Sequence, residues 1–277
     1  MKRFLCAVLV VLVMASCVCA ADSQKIGVLT KLNVTQEDFE KLMQGLRLRK
    51  REFRTNPTPE GVSYTYRFYD TLIAMLMALN SGEIDEIQIP EDVAKYVLSY
   101  NKSYEVSAIN VTARDYLSLG FNDNEKGRRL QSLFNDALIT MENDGRLAAL
   151  TSLYVTDPGI DDEPEAIRFE HFDGAETISV AVTGDMPPID FIAADGVPAG
   201  FNTAILAEAA KILKVNIKLV NVDTIARAAS LVSGHVDVVF WFQISSDPQE
   251  QNFDIPKGII LSEPYYSWDK MYSLKKK

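Results

Sequence analysis

The chain has 277 residues, of which 47% are hydrophobic and 24% are charged, a composition typical of a globular protein rather than of a disordered or collagen-like chain. Its 38 acidic and 28 basic side chains give a net charge of −10, which argues against a nucleic-acid partner because phosphates would be repelled. All three cysteines lie within the first twenty residues, and only two histidines occur. Beyond that segment, this excludes a zinc site built on cysteine or several histidines, and it excludes a catalytic cysteine.

Residues 1–21 have the pattern of a secretory signal peptide. Two basic residues precede an apolar run from Phe4 to Ala15, and small residues follow as far as Ala21, which is the order of regions in such signals. Two alternatives stay open: the same run could anchor the chain in a membrane, or Cys17 could be lipidated in a lipoprotein box. We therefore expect an exported protein, periplasmic or extracellular, with a possible lipid anchor at Cys17.

Two patterns repeat along the chain at one offset. The β-prone run at 25–30 resembles the run at 177–183, and the Ser-Gly turn with its following strand at 81–87 resembles 233–239. In both pairs, the second run begins 152 residues after the first. Two matches in register predict duplicated lobes. We place these lobes at 25–155 and 177–277, joined by an acidic linker that contains proline and glycine at 156–176.

The predicted elements follow the same order in both halves. The first half reads as strand 25–30, helix 36–46 with Thr35 as its cap, strand 64–69, helix 71–80, strand 84–89, helix 94–100, strand 115–121 and helix 126–141. The second reads as strand 178–183, helix 204–213 with Asn202 as its cap, strand 215–220, helix 224–232 and strand 236–241. Such alternation predicts an α/β fold with two lobes, each a mostly parallel sheet flanked by helices.

A ligand cleft is expected where the two lobes face each other. In open parallel sheets, ligands bind outside the carboxyl ends of the strands. The loops that follow such strand ends are Thr30–Asn33, Gln88–Glu91, Gly184–Pro188 and Trp241–Ser246. We therefore expect these four loops to surround a small molecule.

Several runs resemble the family 3 extracellular solute-binding proteins, the amino-acid and small-solute receptors of bacterial ABC importers. Runs that resemble the first lobe of that family are Val180–Pro188, Gly200–Asn202, Ser233–Asp237 and Ser262–Tyr266. Runs that resemble its second lobe are Lys25–Thr30, Tyr69–Asp70, Gly82–Asp85, Tyr116–Phe121 and Asp144–Leu147. The lobe that the family places first comes second here, so the resemblance implies a circularly permuted chain. In that arrangement 156–176 bridges the former termini and substitutes for a hinge strand between the lobes.

The resemblance also implies a solute site, but the charged residues that the family uses for amino acids are missing or displaced. The family binds the ligand carboxylate through an Arg shortly after the third strand of its first lobe, whereas Ser245–Gln251 contains none. The family holds the amino group with a carboxylate at the end of the third strand of its second lobe, where Pro90 stands beside Glu91. We therefore expect that α-amino acids do not bind in the usual pose.

Candidate ligand-binding residues lie at the expected rims of the cleft. They are Thr30, Asn33, Tyr69, Pro90, Glu91, Asp185, Met186, Arg227, Trp241, Gln243 and Ser245. Asp185 could accept a hydrogen bond from the solute or cap a turn. Only one of Trp241 and Phe242 can face the cleft, and Trp241 is the preferred one for stacking on a flat solute. Arg227 could replace the missing arginine that binds the ligand carboxylate in the family, although an exposed surface position is the preferred interpretation.

The expected function is that of a non-enzymatic receptor. It would close on a small organic solute, amino-acid-like or an organic anion, and deliver it to the membrane permease of an ABC importer; it would act as a monomer and need no cofactor or metal. A first alternative is a cyclohexadienyl dehydratase-like enzyme on the same fold, for which Asp185 or Glu91 would be the general acid. A second is a sensory binding protein that works without an importer.

Overall fold

The computed structural model describes residues 23–32, 34–52, 63–109, 114–156, 167–247, 255–268 and 270–277. Residues 1–21 with Cys17, Asn33, residues 157–166 of the linker and the side chain of Trp241 lie outside the described part. Within that part, no helix combines the length and the apolar character needed to cross a membrane.

Strands and helices alternate through the first half of the chain. The elements are β1 (Ser23–Leu29), α1 (Gln36–Glu52), β2 (Ser63–Tyr69), α2 (Leu72–Ser81), β3 (Glu86–Pro90), α3 (Glu91–Tyr100), β4 (Tyr104–Ile109), β5 (Asp115–Asn122), α4 (Glu125–Asn143) and α5 (Arg146–Thr151), with a π-helical turn at Ser152–Thr156. Every predicted element of this half is present, and β4 and α5 are additional.

The second half holds more short strands than the sequence predicts. Its elements are β6 (Thr177–Val182), β7 (Asp185–Met186), β8 (Asp190–Ile192), β9 (Pro198–Ala199), α6 (Phe201–Leu213), β10 (Asn216–Asn221), a 3₁₀ turn at Thr224–Ala226, α7 (Arg227–Val232), β11 (Val238–Ser245), β12 (Ile259–Leu261), β13 (Tyr266–Trp268) and β14 (Met271–Lys276). The proline-rich loop after β6 therefore folds into a small three-stranded sheet, β7-β8-β9.

Helix starts follow local hydrogen-bond chemistry, with one correction. The Thr35 hydroxyl accepts a hydrogen bond from the Asp38 N–H at 3.1 Å, which confirms the predicted cap. Asn202 is not a cap: α6 begins one residue earlier, after Gly200 with φ 95°. A Cβ at Gly200 would lie 2.6 Å from the Pro188 carbonyl oxygen, so a glycine fits this tight entry and the Asn202 side chain is free for tertiary contacts.

The first sheet has the strand order β2-β1-β3-β14-β4. Strand β1 runs parallel to β2 and β3, as predicted. The C-terminal strand β14 lies antiparallel between β3 and β4, with Tyr272 opposite Ile89 on one side and Ala108 on the other. We call this sheet with α1, α2 and α3 lobe 1.

The second sheet has the order β10-β6-β11-β5-β12, and β13 also pairs with β5. Strand β6 runs parallel to β10 and β11, whereas β5 lies antiparallel to β11, β12 and β13. Helices α4 and α5 pack with α6 on this sheet. We call this sheet with α4 to α7 lobe 2.

Strand pairing corrects the expected composition of the two lobes. The boundaries at 25–155 and 177–277 would place β5 in lobe 1 and β14 in lobe 2, but each strand pairs in the other sheet. Both sheets are consequently mixed rather than mostly parallel. The physical reason is that an apolar strand pattern indicates that a strand is buried but does not specify which sheet pairs with it.

The linker returns to the lobe from which it departs. Helix α5, which precedes the linker, packs on α6 of lobe 2. After the linker, the Phe172 N–H donates to the Asn216 side-chain oxygen at 2.9 Å, beside the start of β10 in the same lobe. The expectation that residues 156–176 connect the lobes as a hinge is therefore wrong. The chain crosses between lobes between β4 and β5 and again between β13 and β14.

A continuous apolar core extends through both lobes. Its largest cluster includes Met75 of α2 and Ile87 of β3 in lobe 1, together with Phe134 of α4 and Phe201 of α6 in lobe 2. All four side chains are at most 1% exposed. Helix α2 also contacts the short strand β7, so the core holds the loop after β6 directly beside lobe 1.

Candidate functional site

The carboxyl ends of β1 and β11 meet across the two lobes. Lys31 lies two residues beyond the end of β1, and Gln243 lies near the end of β11. The Lys31 ammonium group donates a hydrogen bond to the Gln243 side-chain oxygen at 2.7 Å. Two of the predicted rims therefore meet at Lys31 and Gln243.

A partly buried carboxylate, that of Asp115, lies behind Gln243. The Gln243 amide donates to Asp115 at 2.8 Å, and the Trp268 indole N–H donates to the same oxygen at 3.3 Å. Burial raises the pKa of Asp115, while the charge of Lys31 and hydrogen bonds from Gln243, Trp268 and Ser245 oppose that rise. Lys31, Gln243, Asp115 and Trp268 thus form a polar chain, which we call the Lys31–Trp268 chain, from lobe 1 into lobe 2.

Hydroxyl groups of its own lobe hold the Asp185 side chain. Asp185 begins β7 and is 7% exposed. Its carboxylate accepts hydrogen bonds from Thr183 at 2.6 Å and from Thr224. Because each bond engages a different oxygen, a solute would have to share or displace one of these hydroxyl groups to bind Asp185.

A second carboxylate, Asp190, lies fully buried beneath the same loop. One of its oxygens accepts from the Thr183 N–H at 3.0 Å and the Gly184 N–H at 3.3 Å, and it lies 3.0 Å from the Thr183 hydroxyl, whose single proton it shares with Asp185. Its other oxygen has no hydrogen-bond partner within the described part of the chain. Burial raises the pKa of Asp190 to about 6, aided by the charge of Asp185 and opposed by the bonds from Thr183 and Gly184.

Arg227 is buried, so the interpretation preferred from the sequence, an exposed surface side chain, is wrong. It is 0% exposed. Its guanidinium carbon lies 5.6 Å from the centre of the Phe242 ring, and its Nη1 donates to the Thr224 carbonyl at 2.9 Å. Phe242 in turn packs in an apolar cluster with Leu231 and Val236. Phe242 therefore belongs to the core, which leaves Trp241 as the expected stacking residue.

Glu91 at the start of α3 is held by cations. Its carboxylate lies 3.2 Å from the Lys95 ammonium group and 3.4 Å from that of Lys270, and Tyr272 donates to it at 3.3 Å. Burial acts to raise the pKa of Glu91, but Lys95 and Lys270 outweigh it and hold that pKa below its usual value. The neighbouring Pro90 is buried and pairs with Met271, so it positions α3 rather than offering a polar group.

A second contact between the lobes lies beside Glu91. The Tyr266 hydroxyl of β13 donates to Asp92 of α3. Burial raises the pKa of Asp92, and the bond from Tyr266 opposes this. The rings of Tyr96 and Phe191 also approach across the lobes, with centroids 6.2 Å apart. These contacts hold α3 against lobe 2.

The remaining candidates lie in local contacts around the rims. Thr30 donates to Asp70 at 2.8 Å, and Met186 is 3% exposed within the large core cluster. Ser245 lies opposite Asp115 in the sheet. The Tyr69 hydroxyl donates to Glu83 at 3.0 Å; burial and this bond raise the pKa of Tyr69 to about 12.

Sequence reasoning missed Lys31 and Asp115, which the fold brings to the contact between the lobes, and it missed the buried Asp190 within lobe 2. Lys31 lies within a predicted rim loop, and Asp115 begins a predicted strand, so a search for charges at strand ends could have found both. The partners of Asp190 belong to the buried loop after β6, and no local pattern indicates them. The bond between Tyr266 and Asp92 joins distant segments, so no local pattern predicts that pairing. No group of three His, Cys, Asp or Glu side chains in the described ranges is placed to hold a metal.

Residues 178–277 match the family model of the bacterial extracellular solute-binding proteins, family 3. No curated protein matches the chain. Among solved structures, the ligand-binding component of an ABC-type import system from Staphylococcus aureus, with zinc bound, is similar at 9% identity and a TM-score of 0.45, over 91% of this chain and 66% of that one. The alkanesulfonate-binding protein SsuA from Xanthomonas axonopodis pv. citri, bound to MOPS, is similar at 9% identity and a TM-score of 0.42, over 92% and 65%.

The chain thus spans slightly less than two thirds of the length of these two structures. The match of the family model begins at Ile178, at the start of β6, and includes β11 and its following segments. It does not test the order of the lobes, so the circular permutation stays a prediction. The predicted resemblance to the family 3 bacterial extracellular solute-binding proteins is confirmed over residues 178–277.

Proposed function

We propose that this protein is an exported receptor that closes on a small organic solute and delivers it to the permease of an ABC importer. The observation that carries this proposal is the match of residues 178–277 to the family 3 solute-binding model. It is supported by the meeting of the strand ends at Lys31 and Gln243. The signal-like residues 1–21 support export, and the linker that returns to lobe 2 supports a permuted chain whose former termini lay close together.

In this proposal the solute acts by favouring the closed state. A ligand shifts a two-state equilibrium only through contacts that differ between the states. The residues at the contact of the two lobes, Lys31 and Gln243, are suited to this because a solute that touches both binds more tightly when the lobes are together. The two crossings between β4 and β5 and between β13 and β14 are the proposed hinges.

We further infer a binding role rather than a catalytic one. A general acid for a dehydratase needs a proton to donate near neutral pH. The pKa of Glu91 is lowered, and both oxygens of Asp185 accept hydrogen bonds from hydroxyl groups, so neither candidate is suited to that step. We expect prephenate and arogenate to yield no aromatic product when incubated with the purified protein.

The receptor proposal is tested with protein purified under mild conditions. Small molecules released by unfolding are identified by mass spectrometry, and each is titrated back into dialysed protein by calorimetry. Trp241→Ala should weaken binding about tenfold or more, because stacking on an aromatic ring contributes roughly 1–3 kcal/mol and a factor of ten corresponds to about 1.4 kcal/mol. Tyr100→Ala, at a residue 78% exposed on α3, is the matched control and should bind as the wild type. A protein that binds no small molecule would contradict the proposal.

A further inference from the structure

Lys31 differs from other basic residues near the contact between the lobes in the group that its side chain contacts. Lys95 and Lys270 lie beside the Glu91 carboxylate. Arg227 is fully buried against Phe242. The hydrogen bond of Lys31, in contrast, goes to the neutral side-chain oxygen of Gln243, whereas an anionic acceptor would add the attraction between opposite charges.

The charge of Asp115 attracts Lys31, but the two side chains do not form a direct hydrogen bond. The negative charge of Asp115 interacts with Lys31, but the hydrogen bonds to that carboxylate come from Gln243 and Trp268. Gln243 therefore stands between cation and anion, with its amide donating to Asp115 and its oxygen accepting from Lys31. If Lys31 turned to another acceptor, Gln243 would stay anchored by Asp115, and its oxygen would be available to a donor on the solute.

We propose that Lys31 selects the solute: it exchanges its bond to Gln243 for the anionic group of a small organic acid. This inference rests on the proposed receptor function and names its solute class. An anion held by Lys31 of lobe 1 also lies against Gln243 of lobe 2, so one group of the solute contacts both lobes. The proposed cation, Lys31, lies in the loop after β1 of lobe 1. The family instead carries its arginine at the position that corresponds to the segment after β11.

The test compares three forms of Lys31 by thermal unfolding in the presence of defined solutes. The wild type, Lys31→Met and Lys31→Arg are each titrated with succinate, L-lactate and methanesulfonate, and separately with D-glucose and putrescine. Lys102→Met, at an exposed turn after α3, is the matched control because it removes the same charge away from Gln243. Circular dichroism without solute shows whether each variant is folded, and Lys31→Gln replaces Lys31→Met if the latter is not.

We expect at least one of the three anions to stabilise the wild type, Lys31→Arg and Lys102→Met. Lys31→Met should need about tenfold or more of that anion for the same shift in melting temperature, because it lacks the charge-assisted bond. An anion that stabilises Lys31→Met as well as the wild type would overturn the inference. Stabilisation by glucose or putrescine but by no anion would overturn it while leaving the receptor proposal standing, and no response to any solute would count against both.

Discussion

The buried carboxyl group of Asp190 should make the stability of this protein depend on pH between about 4 and 6. Asp190 begins β8 and is 0% exposed. It orders the loop after β6 by accepting hydrogen bonds from Thr183 and Gly184. We consider the change Asp190→Asn, which keeps the size of the side chain and one acceptor oxygen for these donors but removes the titrating proton.

The size of the effect follows from the pKa of Asp190, which burial raises from 3.8 to about 6. Each unit of difference between folded and unfolded states corresponds to about 1.4 kcal/mol, so the two states differ by about 3 kcal/mol. As the pH rises from 4 to 6, the unfolded chain loses this proton first while the folded protein retains it. The unfolded state is therefore favoured, and between pH 4 and 6 the free energy of unfolding should fall by about 2 kcal/mol through this residue, which is the greater part of that difference.

The assay is urea unfolding of the wild type and Asp190→Asn at intervals between pH 4 and 7, followed by far-ultraviolet circular dichroism. The quantity of interest is the difference between the two unfolding free energies at each pH, because other titrating groups then cancel. That difference should change by about 2 kcal/mol across the range, in favour of Asp190→Asn as the pH rises. Asp195→Asn, in an exposed turn of the same segment, is the control. Parallel profiles for the wild type and Asp190→Asn would refute the reasoning.

Two further predictions concern packing and the contact between the lobes. Gly120→Ala should lower the free energy of unfolding by about 2 kcal/mol or more, because its Cβ would lie 2.1 Å from the Phe242 ring; Gly45→Ala, whose Cβ meets no atom within 4 Å, should instead raise it by roughly 0.5–1 kcal/mol. Equal effects of the two changes in urea unfolding would contradict this. Tyr266→Phe should lower the free energy of unfolding by about 2 kcal/mol, since it leaves the buried Asp92 carboxylate without its hydroxyl donor. An unchanged midpoint and slope in urea would show that this bond contributes nothing.

The exchange of strands between the lobes has a mechanical consequence. Strand β5 follows lobe 1 in the chain but pairs with β11, β12 and β13 in lobe 2, and β14 follows lobe 2 but pairs with β3 and β4 in lobe 1. Each crossing thus ends in a strand with neighbours on both sides, which anchors the connection firmly in the sheet that it enters.

The sequence alone determined the local elements and the resemblance to a family. The alternation of β-prone runs with helices of about ten residues predicted β1, β6 and β11 together with the helices between the strands, because hydrophobic periodicity and capping act over a few residues. The repeat at a constant offset predicted two related sheets. The ordered motifs of the second half indicated the family 3 solute-binding proteins, and the family model matches that segment.

Only the tertiary structure decided which strands pair and which charges meet. Lys31 and Gln243 are 212 residues apart in the chain, and Tyr266 and Asp92 are 174 apart. Arg227 has the same local pattern whether it is exposed or buried, and its burial follows from the packing of Phe242 against α7. These arrangements depend on contacts between distant segments, whose hydrogen-bond partners leave no trace in the spacing of neighbouring residues.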